Sequence, residues 1–468
     1  MSTIVTSPSR ASSLRGGDIE SEVSVCAHAP SQIVRPWTGV DGTAGVVAVV
    51  GAGKMGLPLC VQYASHGWRV IAVDVNADVV ASINEGRSHV AEEPGLADMV
   101  AEAHARGLLS ATTDGRAASE EADVVVVIVP VMLDDAGGPD YRYMDAAADG
   151  IGPGLHPGSL VVFETTLPVG DTRARYAPRL AAASGLRVEV DLLVAFSPER
   201  LFSGAALRNL ATYPKLVGGL GTASGDRAAR FYASVLDAEV VKMTSAEAAE
   251  FAKLADTTYR DVNIALANEL AGYAERIGVD ITEVIRAANS QPYSHIHAPG
   301  LGVGGHCIPV YPRFLLARDP GLELVATARR INDAQTDRAV ATLEEALGSL
   351  VGVRVLVLGL TYREGVKELA YSRAIPLIHA LAAAGADVAA YDPLLDPIEA
   401  VAAGAHQAWE WGTPDAASVV VLQTGDGRWS SIDWTWLPNL RAVYDGRGAL
   451  RSTLPDRVIR LGVGHGVG

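Results

Sequence analysis

The stretch Val46-Val-Ala-Val-Val-Gly51-Ala-Gly53-Lys-Met-Gly56 joins a short apolar strand to a Gly-x-Gly-x-x-Gly turn. A strand followed by this turn and a helix is typical of a dinucleotide-binding unit, because the helix N-terminus offers free N–H groups to a pyrophosphate. Gly51 permits the tight turn and Gly53 lets the backbone approach the phosphates. Gly56 permits close packing of the helix, so the stretch predicts a doubly wound α/β domain.

An acidic residue follows at the spacing that this interpretation requires. Asp74 ends the next predicted strand, Arg69–Val73, and lies 23 residues after Gly51. Its carboxylate is suitably placed for a ribose diol, and a 2′-phosphate would meet like charge, so NAD is favoured over NADP. The expected cofactor-binding residues in this part of the chain are Gly51, Gly53, Lys54, Met55, Gly56 and Asp74.

Short apolar runs alternate with Ala-rich segments on both sides of a long helical middle. The pattern predicts an α/β fold with two Rossmann-like doubly wound domains joined by a helical central domain. The expected divisions are a disordered tail over 1–42, an N-terminal NAD-binding domain over 43–235, a central helical dimerisation domain over 236–335 and a C-terminal Rossmann-like domain over 336–468. The predicted strands are Val46–Val50, Arg69–Val73, Ala122–Val129, Leu160–Glu164, Leu192–Ala195, Val355–Leu360, Asp387–Tyr391, Val419–Leu422 and Ala442–Asp445.

The central helix is expected over Ala246–Ile277. Ser245 can cap its N-terminus, and Glu247 supplies an acid in the first turn. The last domain echoes the first, because each runs strand, helix and strand to an aspartate, Asp74 and Asp392. Two such lobes would leave a ligand-binding cleft between them.

Composition excludes several classes of protein. The chain has 468 residues and a net charge of −16, which argues against a nucleic-acid binder. Three scattered cysteines, Cys26, Cys60 and Cys307, suit neither a disulfide framework nor a zinc site, so no metal and a cytoplasmic location are expected. No run of 18 apolar residues occurs, so no membrane association is expected.

A second glycine-rich stretch carries one of the cysteines. It reads Gly300-Leu-Gly-Val-Gly-Gly-His306-Cys307-Ile-Pro309. A thiol held near a nicotinamide can trap an aldehyde covalently and let the enzyme oxidise it again. This chemistry goes beyond that of a simple alcohol dehydrogenase.

Five further segments in one order resemble the UDP-glucose/GDP-mannose dehydrogenase family over nearly the whole chain after residue 43. The run Tyr259–Glu269 is more similar to the branch that acts on UDP-N-acetylmannosamine and related UDP-N-acetylhexosamines. The resemblance implies two NAD-dependent oxidations at C6 of a UDP-sugar to a uronic acid, for a surface polysaccharide or a glycosylated metabolite. The segments are Glu93-Pro-Gly-Leu96, Glu164-Thr-Thr-Leu-Pro168, Ser197-Pro-Glu199, Ala246–Lys253 and the Cys307 loop.

The resemblance assigns roles to four side chains. Cys307 adds to the aldehyde, and the resulting thiohemiacetal is oxidised to a thioester that water hydrolyses. Lys253 can stabilise negative charge on oxygen. Glu199 is expected to act as the base for hydrolysis, and Thr166 to position the water beside the cofactor.

Two positions of the expected catalytic set depart from the family pattern. Thr257 stands where the family has Asn, and Tyr311 stands where it has Asp. A phenol with a pKa near 10 cannot replace a carboxylate as a base at neutral pH, although it can hold a water. Three alternatives therefore stay open: an enzyme that stops at the aldehyde, a UDP-glucose 6-dehydrogenase, and a catalytically impaired nucleotide-sugar binding protein.

The substrate side is less sharply defined. Arg363 replaces a family lysine and can bind a phosphate, while Arg260 and Asn263 share a helix face and are expected to meet substrate or a second subunit. Tyr293 and Gly304 are expected in the pocket wall. Ala370 stands where the family has Arg, and Arg373 is the residue that could compensate. The resemblance further implies a homodimer or a higher homo-oligomer.

Overall fold

The computed structural model describes residues 44–202, 204–450 and 452–464. The predicted tail over 1–42 lies outside the described residues. Two sheets, the first with one antiparallel pair and the second parallel throughout, flank a helical middle in the described part of the chain. The expected fold class, two Rossmann-like domains joined by a helical central domain, is confirmed.

Eight strands build the first sheet, and a two-stranded hairpin stands beside it. The strands are β1 (Val46–Val50), β2 (Arg69–Val73), β3 (Leu109–Thr112), β4 (Val124–Val127), β5 (Met132–Leu133), β6 (Pro139–Asp140), β7 (Leu160–Phe163), β8 (Leu193–Phe196), β9 (Lys215–Gly219) and β10 (Val240–Lys242). The sheet order is β10-β9-β8-β7-β4-β1-β2-β3, and β5 pairs with β6. Only the β8–β9 pair within this sheet is antiparallel. Because β10 pairs with β9, the first sheet extends past the expected boundary at residue 235.

Valine-rich strands are buried on both faces of this sheet, as a parallel sheet covered by helices requires. β4 consists of four valines, each fully buried. The apolar cores above and below the sheet are separate clusters. The helices of this domain are α1 (Gly56–Ser65), α2 (Ala77–Asn84), α3 (Leu96–Ala105), α4 (Gly115–Glu121), α5 (Arg142–Ile151), α6 (Ala177–Ser184), α7 (Ala206–Thr212) and α8 (Thr222–Val235).

The long central helix, α9, spans Ala246–Ile277 and has the predicted bounds. The hydroxyl of Ser245 accepts a hydrogen bond from the backbone N–H of Ala248 at 3.2 Å, which caps the first turn. Gly278 ends the helix in the left-handed region, at a φ of 70°. At 1.5 Å per residue the helix is about 48 Å long, enough to link both domains.

Four shorter helices complete the middle of the chain, and buried polar contacts fix one of them, Glu323–Asp333, to α9. The guanidinium of Arg329 donates to the Asp261 carboxylate at 2.5 Å, and Asn268 donates to Asn332 at 2.9 Å. All four of these side chains are buried, so the contacts fix the register between the helices. The shorter helices are α10 (Ile281–Ala288), α11 (Tyr311–Arg318), α12 (Glu323–Asp333) and α13 (Gln335–Leu347).

The second sheet has six parallel strands in the order β13-β12-β11-β14-β15-β16. One face packs against α13 and α14, whereas a layer that contains Trp409 and Trp429 covers the other. The elements of this domain are β11 (Arg354–Leu358), α14 (Ala374–Ala383), β12 (Asp387–Tyr391), α15 (Pro397–Ala402), β13 (Gln407–Ala408), β14 (Val419–Leu422), β15 (Ala442–Asp445) and β16 (Ile459–Gly462).

In both domains an aspartate accepts backbone hydrogen bonds from the loop that follows the first strand. Asp74 accepts from the backbone N–H of Ala52 at 3.0 Å, across the loop that follows β1. Asp392 accepts from the N–H groups of Leu360 and Thr361 at 2.7 and 3.0 Å, across the loop that follows β11. Each aspartate therefore holds the turn that opens its domain's ligand edge. None of the helices in the described part of the chain is long and apolar enough to cross a membrane.

Candidate active site

The loop between β1 and α1 has the shape that a dinucleotide needs. Gly51 lies in the left-handed region at a φ of 100°, and its N–H donates to the Val73 carbonyl at 2.8 Å. A Cβ on Gly56 would lie 1.8 Å from the Gly51 carbonyl oxygen, so only glycine fits there. A Cβ on Gly53 would meet no atom within 4 Å, which leaves open surface at the N-terminus of α1. This cradle fits the pyrophosphate of NAD.

Asp74 is held beside the cradle by backbone N–H groups. Besides Ala52, it accepts from the N–H of Asn76 at 2.9 Å, which fixes both carboxylate oxygens. A carboxylate offers about four lone pairs, so two remain for a ribose diol. His89 lies alongside: burial lowers its pKa, opposed by the charge of Asp74 and a hydrogen bond with the backbone of Ala52. Because its pKa is lowered, the imidazole is neutral at pH 7, and it packs beside the loop.

Cys307 and Tyr311 form the centre of the second expected site. Tyr311 begins α11, so its N–H donates to the Cys307 carbonyl at 3.0 Å and its phenol lies 3.8 Å from the Cys307 sulfur. Burial first, and then the neighbouring negative charge of Cys307, raise the pKa of Tyr311 well above 10, against a hydrogen bond with Thr166. The phenol is therefore a neutral donor and acceptor at every physiological pH.

Helix α9 brings a lysine to the same place. The ammonium of Lys253 lies 5.7 Å from the centroid of the Tyr311 ring, and the side chain is almost fully buried. Burial raises the pKa of Glu199, which Lys253 and then Lys215 oppose by their positive charge, while Glu164 adds to the rise. A carboxylate with a raised pKa and two cations nearby is suited to take a proton from water.

Thr257 lies one turn beyond Lys253 and is buried, but its hydroxyl donates to the Lys253 carbonyl at 3.3 Å. Short hydroxyl side chains commonly bond back to the carbonyl four residues earlier in a helix. The hydroxyl therefore does not replace the family's amide as a donor into the cleft. Of the six residues expected to act in catalysis, the structure brings five together, namely Cys307, Tyr311, Lys253, Glu199 and Thr166.

A buried ionic network that sequence reasoning did not identify lies behind Glu199. Glu164 is completely buried and accepts from the Lys215 ammonium at 2.7 Å. The phenols of Tyr232 and Tyr63 donate to its other oxygen at 2.5 and 3.2 Å. The N–H of Glu199 donates to the Glu164 carbonyl at 3.0 Å. Lys215 is thus the counter-ion of a buried carboxylate next to the site.

A second carboxylate holds the loop that follows Thr166. Glu250, on α9, accepts from the N–H groups of Gly170 and Thr172 at 2.6 and 3.0 Å and from the Thr172 hydroxyl at 2.6 Å. Burial raises the pKa of Glu250 to about 7, against these hydrogen bonds. The only sequence signal for this role was an acid on the buried face of the predicted helix.

The expected substrate residues on α9 hold a loop. Asn263 donates to the His295 carbonyl at 2.8 Å and accepts from the His297 N–H at 2.8 Å, which ties down the segment that carries Tyr293. The Tyr293 ring is exposed, and the guanidinium of Arg260 lies 5.9 Å from the ring of Phe202. Asn263 is therefore satisfied by this chain, whereas Tyr293 is available to a ligand or partner.

Comparisons with known proteins cover all three parts of the chain. It matches the UDP-glucose/GDP-mannose dehydrogenase family in the NAD binding domain over 46–236, the central domain over 247–334 and the UDP binding domain over 356–452. It is 32% identical over 431 residues to the UDP-N-acetyl-D-mannosamine dehydrogenase of Pyrococcus horikoshii, covering 90% of this chain and 99% of that protein.

The chain belongs to the UDP-glucose/GDP-mannose dehydrogenase family.

Other family members are similar to it along most of their length. The NDP-N-acetyl-D-galactosaminuronic acid dehydrogenase of Ralstonia nicotianae is 34% identical over 410 residues, covering 86% of this chain and 95% of that protein. The solved Pyrococcus horikoshii UDP-D-ManNAc dehydrogenase superposes with a TM-score of 0.81 at 31% identity, covering 90% of this chain and 99% of the other. The expected enzyme class, an NAD-dependent UDP-sugar dehydrogenase, is confirmed.

Family membership places the expected residues in named domains. The glycine loop and Asp74 lie in the family's NAD binding domain, and Arg363 lies in its UDP binding domain. Arg363 is exposed, with its guanidinium 5.9 Å from the Tyr362 ring. Gly304 packs closely against this domain, because a Cβ there would lie 2.9 Å from the Tyr371 carbonyl oxygen.

Two arginines of the UDP binding domain support neighbouring segments of the chain. Arg373 donates to the Asp333 carbonyl at 2.9 Å and to the Thr336 hydroxyl at 3.0 Å, so it supports the junction of α12 and α13. Arg447, which sequence reasoning missed, donates to the Gln423 carbonyl at 3.1 Å. Its guanidinium packs against the backbone of Gly300, at the start of the cysteine loop. The signal for Arg447 was its place directly after the predicted strand Ala442–Asp445.

Proposed function

We propose that this protein oxidises the C6 alcohol of a UDP-N-acetylhexosamine, most specifically UDP-N-acetylmannosamine, to the uronic acid with two molecules of NAD. The observation that carries the proposal is the convergence of Cys307, Lys253, Glu199 and Thr166 around Tyr311. A simple alcohol dehydrogenase has no need of the thiol, whereas a double oxidation does.

The glycine loop supports the cofactor assignment. Gly53 and the first N–H groups of α1 would hold the pyrophosphate, and Asp74 the adenosine ribose. NAD, when bound, accepts a hydride from the substrate carbon in each of the two oxidations. The acid at Asp74 disfavours a 2′-phosphate, which agrees with NAD rather than NADP.

The thiol makes the second oxidation feasible. The Cys307 sulfur adds to the C6 aldehyde to give a thiohemiacetal, and loss of its hydride leaves a thioester on the enzyme. Both steps pass through negative charge on the C6 oxygen. The buried ammonium of Lys253 stabilises that charge, because a cation in a water-poor site interacts more strongly than one in bulk solvent.

Hydrolysis of the thioester needs a base and a positioned water. Glu199 takes the proton from water as the water oxygen attacks the acyl carbon, and the Cys307 sulfur leaves as the thiolate. Thr166 and the neutral phenol of Tyr311 share a hydrogen bond and hold that water. Tyr311 therefore replaces the family's carboxylate as a positioning group, and Glu199 remains the proton acceptor.

The substrate class follows the named relatives. Those at 32% and 34% identity are named for N-acetylated sugar nucleotides. A solved UDP-glucose dehydrogenase from Pyrobaculum islandicum is 26% identical, with a TM-score of 0.79 and coverage of 92% of this chain and 100% of the other. The balance of identity favours an N-acetylhexosamine, with UDP-glucose as the second candidate.

The test is the yield of NADH per mole of limiting substrate, with UDP-N-acetylmannosamine, UDP-N-acetylglucosamine and UDP-glucose offered separately. We expect two NADH per mole of the first of these. With the Cys307→Ala protein as the enzyme and the C6 aldehyde as the limiting substrate, we expect no NADH. One NADH per sugar would support the alternative that the reaction stops at the aldehyde. Binding of the nucleotide sugars with no NADH from any would support the impaired binding protein.

We further propose that a second copy of the chain packs on α9. Exposed apolar side chains follow one side of this helix at intervals of four, seven or eight residues, which keeps them near one face. They are Phe251, Tyr259, Leu266, Tyr273 and Ile277. Leu266→Asp should lower the mass measured by light scattering to that of a monomer. Ile398→Asp, at an exposed apolar residue on α15, should leave the mass unchanged.

A further inference from the structure

One carboxylate of the UDP binding domain lies between the cofactor loop and the cysteine loop. One carboxylate oxygen of Glu368 accepts a hydrogen bond from the Ala370 N–H at 3.0 Å. Its other oxygen lies 4.0 Å from the Lys54 ammonium, in the cofactor loop, and 3.6 Å from Nε2 of His306. His306 immediately precedes Cys307, so one side chain links the cofactor loop to the nucleophile.

The backbone around Glu368 supports the same junction. The Tyr371 ring meets the His306 ring edge to face, with centroids 6.0 Å apart, and its hydroxyl accepts from the Leu133 N–H at 3.4 Å. Tyr371 lies in the left-handed region at a φ of 54°, a costly conformation for a non-glycine residue. A Cβ on Gly305 would lie 2.9 Å from the Tyr362 ring, so the cysteine loop packs tightly here.

Lys54 has a second partner that does not reach the cysteine loop. Its ammonium lies 3.2 Å from the Glu92 carboxylate, in the same domain. Burial raises the pKa of Glu368, but the hydrogen bond from the Ala370 N–H and the neighbouring His306 and Lys54 outweigh it, so the pKa is lowered. Glu368 is thus ionised at neutral pH, and it competes with Glu92 for one lysine.

We propose that Glu368 is a positioning residue that couples the cofactor loop to the Cys307 loop. A pyrophosphate bound at the cofactor loop attracts Lys54 and weakens its contact with Glu368. Glu368 is then left with His306 as its main side-chain partner, which holds the cysteine loop more firmly over the site. The proposal rests on the proposed function only in taking Cys307 as the nucleophile.

The test needs no substrate, so its failure is separate from failure of the proposed function. ADP-ribose carries the pyrophosphate of NAD but lacks the nicotinamide that would shield the thiol. We expect saturating ADP-ribose to slow the alkylation of Cys307 by iodoacetamide, measured on its peptide by mass spectrometry. Exposed ion pairs typically contribute about 0.2–1 kcal/mol, so the slowing should lie between roughly 1.4-fold and fivefold.

Four variants separate the two arms of the link. Glu368→Gln should abolish the slowing and tighten ADP-ribose binding about twofold, because Lys54 loses a competing anion. Glu92→Gln should tighten binding but keep the slowing. His306→Gln should lose the slowing without tighter binding. Glu364→Gln, an exposed residue of the same loop with the same charge change, should behave as the unmodified protein.

Two results would overturn the proposal. One is an alkylation rate in the unmodified protein that ADP-ribose leaves unchanged. The other is a Glu368→Gln protein that keeps the full slowing, with an unfolding temperature equal to that of Glu364→Gln. If Glu368→Gln instead unfolds early, the His306→Gln protein decides the matter, because the proposal requires that it also lose the slowing.

Discussion

Replacing Lys215 by methionine should destabilise the N-terminal domain strongly. Glu164 is completely buried, and Lys215 is the cation that contacts it, at 2.7 Å. Removing one partner of a buried ion pair costs about 3–5 kcal/mol, because the other charge is left without compensation. For a domain of this size, each kcal/mol shifts the unfolding temperature by about 2–4 °C, so we expect a fall of roughly 6–20 °C.

The double variant Lys215→Met, Glu164→Gln is the matched control. It removes both charges and leaves a side-chain carbonyl to accept from Tyr63 and Tyr232, which now donate to Glu164. Calorimetry should show that it recovers at least half of the lost unfolding temperature. If the single variant unfolds within about 2 °C of the unmodified protein, or the double variant is as unstable as the single one, the network does not carry the stability assigned to it.

The same substitution should also move a pH profile. Lys215 is one of two cations that oppose the rise in the pKa of Glu199. Without it the pKa of Glu199 rises further, so the base is protonated to a higher pH. In the proposed mechanism, the acid limb of aldehyde-to-acid turnover should therefore move to higher pH. If the acid limb is unchanged in a folded Lys215→Met protein, Lys215 does not influence the pKa of Glu199.

Three further outcomes test other parts of the structure. Gly56→Ala should lower both the unfolding temperature and the affinity for NADH, because its Cβ would lie 1.8 Å from the Gly51 carbonyl oxygen. Gly53→Ala, whose Cβ would meet no atom within 4 Å, should lower only the affinity for NADH. Calorimetry measures the first quantity and fluorescence titration the second. Tyr311→Phe should slow aldehyde-to-acid turnover about fivefold, because it removes one hydrogen bond to the water. An unchanged rate would exclude a role for the phenol. The raised pKa of Glu250, about 7 against an ordinary 4.5, implies that its protonated form stabilises the fold most below pH 4.5. As the pH rises to 7, the free energy of unfolding loses this contribution, which is roughly 3 kcal/mol at about 1.36 kcal/mol per pKa unit. Glu250→Gln should remove this part of the pH dependence of unfolding.

Local sequence was sufficient for the parts of the molecule that depend on short-range physics. The strands Val46–Val50 and Arg69–Val73 and the helix Ala246–Ile277 have their predicted bounds. Valine runs, a serine cap and a terminal glycine act within a few residues, so they can be recognised without the rest of the chain. The Gly-x-Gly-x-x-Gly loop and the place of Asp74 follow for the same reason.

The pairing of distant side chains could not be predicted in this way. Glu164 and Lys215 are 51 residues apart, and nothing in either segment indicates a shared buried contact. Glu368 and Lys54 belong to different domains. Strand order and domain packing decide such contacts, and both are determined by burial of apolar surface over the whole chain.

The sequence by itself therefore determined the two Rossmann-like domains and the glycine cradle for a dinucleotide, and it predicted Cys307 as the reactive thiol. Only the tertiary structure decided how the site is completed. It directs the Thr257 hydroxyl to its own helix and places the Tyr311 phenol beside the sulfur. The physical reason is that a side chain's role depends on which partners its atoms reach, and those partners come from elements far away in the chain.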